Sequence, residues 1–294
     1  MYRRHFLAVV AVLVATLLAG GCTAAPAPVA EGAPVTSTSS PPASTPAPSP
    51  LITAAPRPVD KELGLLANGL YRAGKVPAVR CGTPKSAMSS KAAMVRFARI
   101  VLDCLNRAWR PVVERSSNLF TAPAGLVDYS TGQASPCGPA HEGVYGFYCG
   151  TNTIIYVRLS TYLTDDADSP YAEAAVIHLL AHEYGHHVQN LVGISTFYAE
   201  RYWRAEGAAR LQENRRHELQ GECLAAAFLG ANKKSLRLTG ARYAMIQQSF
   251  GGGDDPGDRT HGSSASSRAW TAGAYRTGSP SACNTFVAPA AKVS

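Results

Sequence analysis

The residues with the clearest chemical potential are two histidines and a glutamate in the segment His182-Glu183-Tyr184-Gly185-His186. On a helix, residues four apart share a face, so both imidazoles can bind one cation. Glu183, one position round, would lie beside the open coordination position as a general base for water. The surrounding segment, AAVIHLLAHEYGHHVQN, is mostly apolar, and buried polar side chains are costly without a partner. The spacing predicts a zinc site with His182 and His186 as ligands and Glu183 as base.

A catalytic zinc site needs a third protein ligand. A metzincin would have glycine three residues and histidine six residues after His186, but this sequence has Gln189 and Val192, which excludes that class. An acidic ligand from a second helix remains, and Glu218 and Glu222 are again four residues apart. One of them could bind the metal while the other orients a ligand histidine from behind.

Several segments carry a family resemblance: HEYGHHVQNLVG at 182–193, ELQGEC at 218–223, DPGDRTHGSS at 255–264 and ACNTF at 282–286, with CG at 137–138 and FYCG at 147–150. Over about residues 135–286 they resemble the bacterial family of neutral zinc metallopeptidases, and the chain looks like the wider gluzincin group. The resemblance implies Zn²⁺ as cofactor, Glu218 as the third ligand and Glu222 as support for a zinc-bound histidine. This chain departs from the family where Gly221 replaces the usual alanine and Glu222 the usual aspartate.

The segment 255–264 also contains His261. A histidine on a loop that faces the metal could stabilise the oxyanion of a tetrahedral intermediate, because hydrogen-bond donors aimed at developing charge are worth roughly 2.7 to 4 kcal/mol. We therefore predict His261 as a second catalytic residue. The alternative is that this loop only leads into a helix, with Ser263 as its cap.

The remaining histidines are assigned structural roles. We expect His178 to be buried and hydrogen-bonded, and His187 to face away from the metal. His141 and His217 are expected to be solvated or to support the site from behind. The tryptophans are expected to pack in the core: Trp109, Trp203 and Trp270.

The elements that must position these residues are mostly helical. Ser169 as N-cap, Pro170 in the first helical position and Glu173 in the first turn predict a helix that runs to about Leu191. Further helices are predicted over residues 59–73, 86–110 with Pro111 as the stop, 198–230, 235–250 and 263–276.

Two segments rich in aromatic and β-branched residues, Gly146–Cys149 and Thr153–Leu159, predict strands of a small sheet. We expect the segment Thr153–Leu159 to be an edge strand, as in zincin folds, where it could pair with an extended peptide. The fold expected over residues 59–294 is therefore an α+β, mostly helical, zincin-like metallopeptidase domain with a small β-sheet.

The N-terminal residues predict export. Arg3 and Arg4 precede an apolar run at 6–19, which is shorter than the roughly 20 residues of a membrane-spanning helix but suits a signal peptide. The run ends in LAGGC, which resembles a lipobox and implies cleavage after residue 21 and acylation of Cys22. Residues 22–58, rich in Pro, Ala, Ser and Thr, predict a disordered tether. We expect an extracytoplasmic protein anchored to the bacterial cell membrane by lipid, the alternative being an ordinary secreted protein.

Export makes disulfides the default for the six cysteines that remain. No two of them have the Cys-x-x-Cys spacing of structural zinc sites. Pairing of nearest neighbours gives three bridges: Cys81 with Cys104, Cys137 with Cys149, and Cys223 with Cys283.

Composition limits the function classes. The formal net charge is +8, but the densest basic group, Lys233, Lys234 and Arg237, has no aromatic residues interleaved, which argues against nucleic-acid binding. The function that these residues indicate is hydrolysis of peptide bonds in a peptide or protein substrate by metal-activated water. Two alternatives stay open: a catalytically silent zinc-containing binding lipoprotein, and an amidase acting on cell-wall peptides. The sequence makes no prediction of the oligomeric state.

Overall fold

The computed structural model describes residues 58–140, 142–254, 257 and 259–294. The predicted signal peptide, the Cys22 anchor, the tether up to residue 57 and His141 lie outside the described residues. Within these ranges, the model contains no helix that is both long and apolar enough to cross a membrane.

The described residues form an α+β fold that is mostly helical, so the predicted fold class is confirmed. The helices are α1 (Pro58–Leu66), α2 (Lys91–Arg115), α3 (Pro170–Leu191), α4 (Ile194–Arg204), α5 (Gly207–Asn232), α6 (Gly240–Ser249) and α7 (Ser264–Thr277). The strands are β1 (Gly125–Asp128), β2 (Ala134–Ser135), β3 (Gly138–Pro139), β4 (Gly146–Cys149) and β5 (Ile154–Val157). Short 3₁₀ turns connect several of these elements.

The hydrophobic core lies where α2, α3 and α5 pack together. Its largest fully buried side chains include Phe97 and Trp109 from α2, Tyr184 from α3 and Phe228 from α5. Burying a side chain of this size contributes about 1.5–3 kcal/mol. The predicted core position of Trp109 is confirmed, whereas that of Trp203 is wrong, because its side chain on α4 is 71% exposed. Trp270 is partly buried against the core.

The main sheet has the strand order β1-β5-β4, with β1 parallel and β4 antiparallel to β5. The expectation that the segment Thr153–Leu159 forms an edge strand is wrong, since β5 lies between two partners. Residues 125–128, for which no strand was predicted, form β1 and pair with the other side of β5. The open edge nearest the metal-binding helix therefore belongs to β4. Strands β2 and β3 form a separate pair.

Helix α2 differs from its prediction at both ends. It begins at Lys91, where the Ser90 side chain accepts a hydrogen bond from the Ala93 backbone N–H, and it continues through Pro111 to Arg115. A proline inside a helix costs about 3 kcal/mol. Val112 and Val113 are fully buried in the last turn, and their burial offsets that cost.

Two other predicted helices are each divided. The segment 59–73 forms α1 and a 3₁₀ turn, separated at Asn68, whose side chain caps the turn by accepting from the Leu70 backbone N–H. The segment 198–230 lies in α4 and α5, which are separated by residues with extended backbone at 205–206. Gly207 then adopts a left-handed conformation (φ +50°), which starts α5 in a new direction. The segment 235–250 is helical only from Gly240.

Helices α3 and α5 approach most closely at two glycines. A Cβ atom added to Gly185 would lie 2.6 Å from the Gly221 carbonyl oxygen, and one added to Gly221 would lie 3.0 Å from Cε1 of His186. The glycine inside the HEYGH segment and the glycine that replaces the family's usual alanine therefore face each other. Their missing side chains allow the two helices that carry the predicted metal ligands to touch.

Three disulfides form, and the nearest-neighbour pairing is confirmed. They join Cys81 to Cys104, Cys137 to Cys149, and Cys223 to Cys283. The third links α5, one residue after Glu222, to the C-terminal segment.

Gly185→Ala should lower the free energy of unfolding by about 1–3 kcal/mol, because the added methyl group forces α3 away from α5. Gly273→Ala in α7 is the matched control. Its Cβ would find its nearest neighbour, Ala282 Cβ, at an ordinary 3.8 Å, so the better helix propensity of alanine should stabilise the protein by about 0.5–1 kcal/mol. Urea unfolding in the presence of a chelator measures both variants. Effects of the same sign and size would contradict the close contact.

Candidate metal centre

Three ligand atoms from α3 and α5 converge on one point. His182 Nε2 and His186 Nε2 are 3.2 Å apart, and Glu218 Oε2 lies 3.5 Å from the first and 3.1 Å from the second. Ligands of a tetrahedral zinc ion, each about 2.0–2.2 Å from the metal, lie roughly 3.3–3.6 Å from one another. Within the described residues, this is the one cluster of three such side chains with the spacing of a metal site.

The ring orientation of His182 is fixed by Glu222. Glu222 Oε2 lies 2.9 Å from His182 Nδ1, and Oε1 lies 2.8 Å from His178 Nε2. Burial opposes ionisation of Glu222, but the two imidazoles more than offset it and hold the pKa of this carboxyl below its ordinary value. An ionised carboxylate only accepts hydrogen bonds, so His182 donates from Nδ1 and turns the Nε2 lone pair toward the cluster. The longer side chain of Glu222 therefore reaches two histidines at once.

His186 is oriented in the same way by Gln189. The amide Nε2 of Gln189 donates to the His217 carbonyl oxygen at 2.9 Å and to Gln220 Oε1 at 3.0 Å. Its Oε1 must therefore be the acceptor for His186 Nδ1, at 2.8 Å. His186 thus also presents the lone pair of Nε2 to the cluster.

The converging atoms are all acceptors when the imidazoles are neutral. Burial raises the pKa of the Glu218 carboxyl, but the neighbouring imidazoles outweigh it and lower that pKa well below its ordinary range, so Glu218 is ionised. Two lone pairs and a carboxylate oxygen at this spacing repel one another unless a cation lies among them. This set of ligand atoms fits zinc, and His182, His186 and Glu218 would hold it.

Glu183 lies beside this cluster and faces the same cleft. It is almost fully buried, at 4% exposure. Burial raises the pKa of its carboxyl above the ordinary value, although the charges of His182 and His186 act in the opposite direction. A carboxylate with a raised pKa is a stronger base, which suits proton transfer near neutral pH.

His261 lies at the mouth of the site on the loop before α7. Its Nε2 is 3.6 Å from Glu218 Oε2, and its Nδ1 is 3.0 Å from Asp254 Oδ2. The backbone N–H of His261 and the Thr260 hydroxyl donate to the same Asp254 oxygen, each at 2.7 Å. Asp254 therefore holds the imidazole with Nε2 toward the metal cluster. The loop also leads into α7 with Ser263 as N-cap. The segment therefore both holds His261 near the metal cluster and caps the helix.

The structural roles assigned to other histidines agree with their positions. His178 is hydrogen-bonded to Glu222 and lies outside the three-atom cluster, although it is only partly buried, at 17% side-chain exposure. His187 faces away from the metal, where its Nε2 donates to the Thr121 carbonyl and its Nδ1 accepts from the Tyr148 hydroxyl. Burial lowers the pKa of His187 to about 4.

His217 supports the site from α5. Its ring stacks between those of His186 and Tyr198, with centroid distances of 4.8 and 4.1 Å. Burial is the main cause that lowers the pKa of His217 to about 4, so its ring is neutral.

The metal cluster forms the floor of a cleft. Two cavities, of about 330 and 450 Å³, meet at His182, Glu183, Glu218 and His261. The first extends between β4 and α4, and the second extends toward His178 and Asp254. A chain longer than a single residue therefore fits across the metal-binding position.

Comparison with known proteins agrees with this geometry. Residues 64–286 match the model of the family described as "Putative neutral zinc metallopeptidase". The chain belongs to this family. The family's description names zinc, the ion that the ligand set of His182, His186 and Glu218 fits.

Two relatives show how far the similarity extends. "Uncharacterized protein YpfJ" of Escherichia coli (strain K12) is 29% identical over 209 residues, which are 65% of this chain and 71% of the relative. "Uncharacterized protein Rv2575" of Mycobacterium tuberculosis is 30% identical over 212 residues, which are 63% of this chain and 68% of the relative. No solved structure matches the chain significantly.

Glu218→Ala should abolish stoichiometric zinc binding because it removes one of three ligand atoms. Glu222→Ala should leave the ligand set intact and weaken zinc affinity by about 10- to 100-fold. Competition with a chromophoric chelator measures both affinities, and Glu62→Ala on the exposed face of α1 is the control. Unchanged zinc affinity in Glu218→Ala would remove this residue from the ligand set.

Proposed function

We propose that this protein is a zinc-dependent peptidase that hydrolyses peptide bonds with Glu183 as the general base. The observation that carries the proposal is the convergence of two imidazole nitrogens and the Glu218 carboxylate at the floor of an open cleft, beside a second, buried carboxylate whose pKa is raised. A purely structural zinc site is closed by four protein ligands and needs no such base.

The chain's own residues divide the chemistry among them. Zinc, when bound, is a Lewis acid that polarises a carbonyl and lowers the pKa of bound water to about 7. Glu183 takes the proton of the attacking water and passes it to the departing amine. With both ring nitrogens protonated, His261 donates from Nε2 to the oxygen that gains negative charge, while its Nδ1–H stays hydrogen-bonded to Asp254, which keeps the ring in the required orientation.

Strand β4 offers a template for the substrate backbone. The Arg158 backbone N–H donates to the Tyr145 carbonyl oxygen at 2.8 Å, so these two residues form a hydrogen-bonded pair of the β4–β5 ladder. In an antiparallel ladder such pairs alternate with non-bonded ones, so the backbone groups of Gly146 and Tyr148 point toward the open edge. Gly146 borders both cavities, which supports binding of an extended peptide along β4 across the metal position.

We also propose that the protein acts outside the cytoplasm, anchored to the cell membrane through Cys22. The support is the N-terminal sequence: a cationic start, a short apolar run and LAGGC. The six remaining cysteines all form disulfides, which are stable in an oxidising compartment.

Glu183→Gln should keep zinc bound and abolish turnover, because the amide cannot accept the water proton. Cleavage of an unbiased peptide library, read by mass spectrometry, measures activity, and chelator competition measures zinc. Glu62→Gln is the matched control. Equal cleavage by wild type and Glu183→Gln would contradict the mechanism. Zinc binding without cleavage of any peptide would support the silent binding protein, and release of cell-wall fragments alone would identify the amidase.

His261→Ala should lower kcat by about 10²–10³-fold, the usual effect of removing one oxyanion donor. Asp254→Asn should lower kcat less, with KM and zinc affinity little changed, because it affects only the orientation of His261. In the double variant the two effects should not add, since Asp254 acts through His261. Additive losses would show that Asp254 acts separately.

A further inference from the structure

We propose that the end of the cleft between β4 and α4 is a subsite for one bulky, uncharged side chain of the peptide substrate, and that Ala199 sets its depth. We call it the α4 subsite; away from the metal cluster it is lined by Tyr148, Asn190, Ser195, Tyr198, Ala199 and His217. The inference rests on the proposed peptidase function and adds a substrate class to it.

The position of the α4 subsite follows from the cleft. The cavity of about 330 Å³ that contains it also contains His182, Glu183 and His186. The outward backbone groups of Gly146 and Tyr148 lie two residues apart on β4, roughly 7 Å at about 3.4 Å per residue. A peptide held at Gly146 over the metal therefore places a neighbouring side chain beside Tyr148, inside the α4 subsite.

Its walls are aromatic. The Tyr198 and His217 rings lie 4.1 Å apart with an interplanar angle of 13°, and His217 stacks on His186 in the same way. The Tyr198 hydroxyl donates to Asn214 Oδ1 at 2.8 Å, so its polar group already has a partner. The His217 ring adds a second aromatic group to this wall. Aromatic surfaces of this kind favour contact with large apolar or aromatic side chains.

The floor of the α4 subsite is polar, but most of its polar groups already have hydrogen-bond partners. The Tyr148 hydroxyl donates to His187 Nδ1 and accepts from Asn190 Nδ2, both at 3.1 Å. Among the described residues that line this end, none beyond the metal cluster is charged. A charged substrate side chain would lose hydration here without gaining an ion pair, which is costly. The opposite cavity has the charged side chains of Asp254 and Glu222 in its lining, so selection for an uncharged side chain is confined to the α4 end.

The depth depends on the small residues of α4. Ser195 and Ala199 are four residues apart, so they share the helix face that borders the subsite. A larger side chain at position 199 would occupy the space that a bulky substrate residue needs. The side chain of Ala199 is a single methyl group, so enlarging it changes the size of the subsite without removing a side-chain hydrogen bond.

The test uses an alanine-rich host peptide with one guest residue, Phe, Tyr, Leu, Ala, Glu or Lys, at each position around the cleaved bond. Zinc-loaded wild type should prefer Phe, Tyr and Leu over Glu and Lys at one position by about 10-fold or more in kcat/KM. Ala199→Leu and Ala199→Phe should reduce that preference progressively, with a larger loss of kcat/KM for the Phe guest than for the Ala guest. Thr196→Phe, at an exposed position of the same helix that does not line the cavity, is the matched control and should behave as wild type.

Equilibrium binding of the same peptides to zinc-loaded Glu183→Gln, read by fluorescence anisotropy, separates this inference from the proposed function. Tighter binding of peptides with bulky uncharged guests, and loss of this preference when Ala199→Phe is added, support the subsite. This holds even if the wild type cleaves no peptide, in which case only the peptidase proposal fails. Cleavage or binding that is indifferent to the guest residue, or that Ala199→Phe weakens equally for all guests, overturns the subsite. Melting curves identify any variant that is unfolded. If Ala199→Phe is unfolded, the same comparison is made with Ala199→Leu.

Discussion

The structure depends on holding three electron-rich atoms within about 3.5 Å of one another. Two imidazole lone pairs and a carboxylate repel at that distance, so the protein must both bring the helices together and prevent the rings from turning away. Gly185 and Gly221 bring the helices together, because their missing side chains let α3 and α5 touch. The core between α2, α3 and α5, and the disulfide that follows Glu222, hold that contact in place.

Hydrogen-bond acceptors on the side of the imidazole rings away from the metal position prevent the rings from turning. Glu222 and Gln189 each accept from an Nδ1–H, which directs both Nε2 lone pairs to the same point. Asp254 accepts from Nδ1 of His261 and so fixes the orientation of that ring at the mouth of the cleft. Orientation is fixed before any ligand arrives, so binding a cation costs little rearrangement. The glutamate at position 222, where the family usually has aspartate, is long enough to span His182 and His178.

Much of this could be predicted from the sequence, because the signals are local. Residues four apart on a helix identify His182, His186, Glu218 and Glu222, and Ser169-Pro170 fixes the start of α3. What the sequence could not supply are contacts between distant segments. Asp254 and Gln189 act through a loop and a side-chain amide, for which no periodic pattern exists. The edge position of β4 depends on β1, a four-residue strand recognised only by its pairing.

The arrangement of these residues implies that one divalent ion is bound by His182, His186 and Glu218. Anomalous diffraction at the zinc absorption edge from crystals of the zinc-loaded protein tests it most directly. We expect one strong peak about 2.0–2.2 Å from both Nε2 atoms and from a Glu218 oxygen, with Glu183 beside the remaining open position. A peak between His178 and Glu222, or one well beyond bonding distance of Glu218, would contradict it.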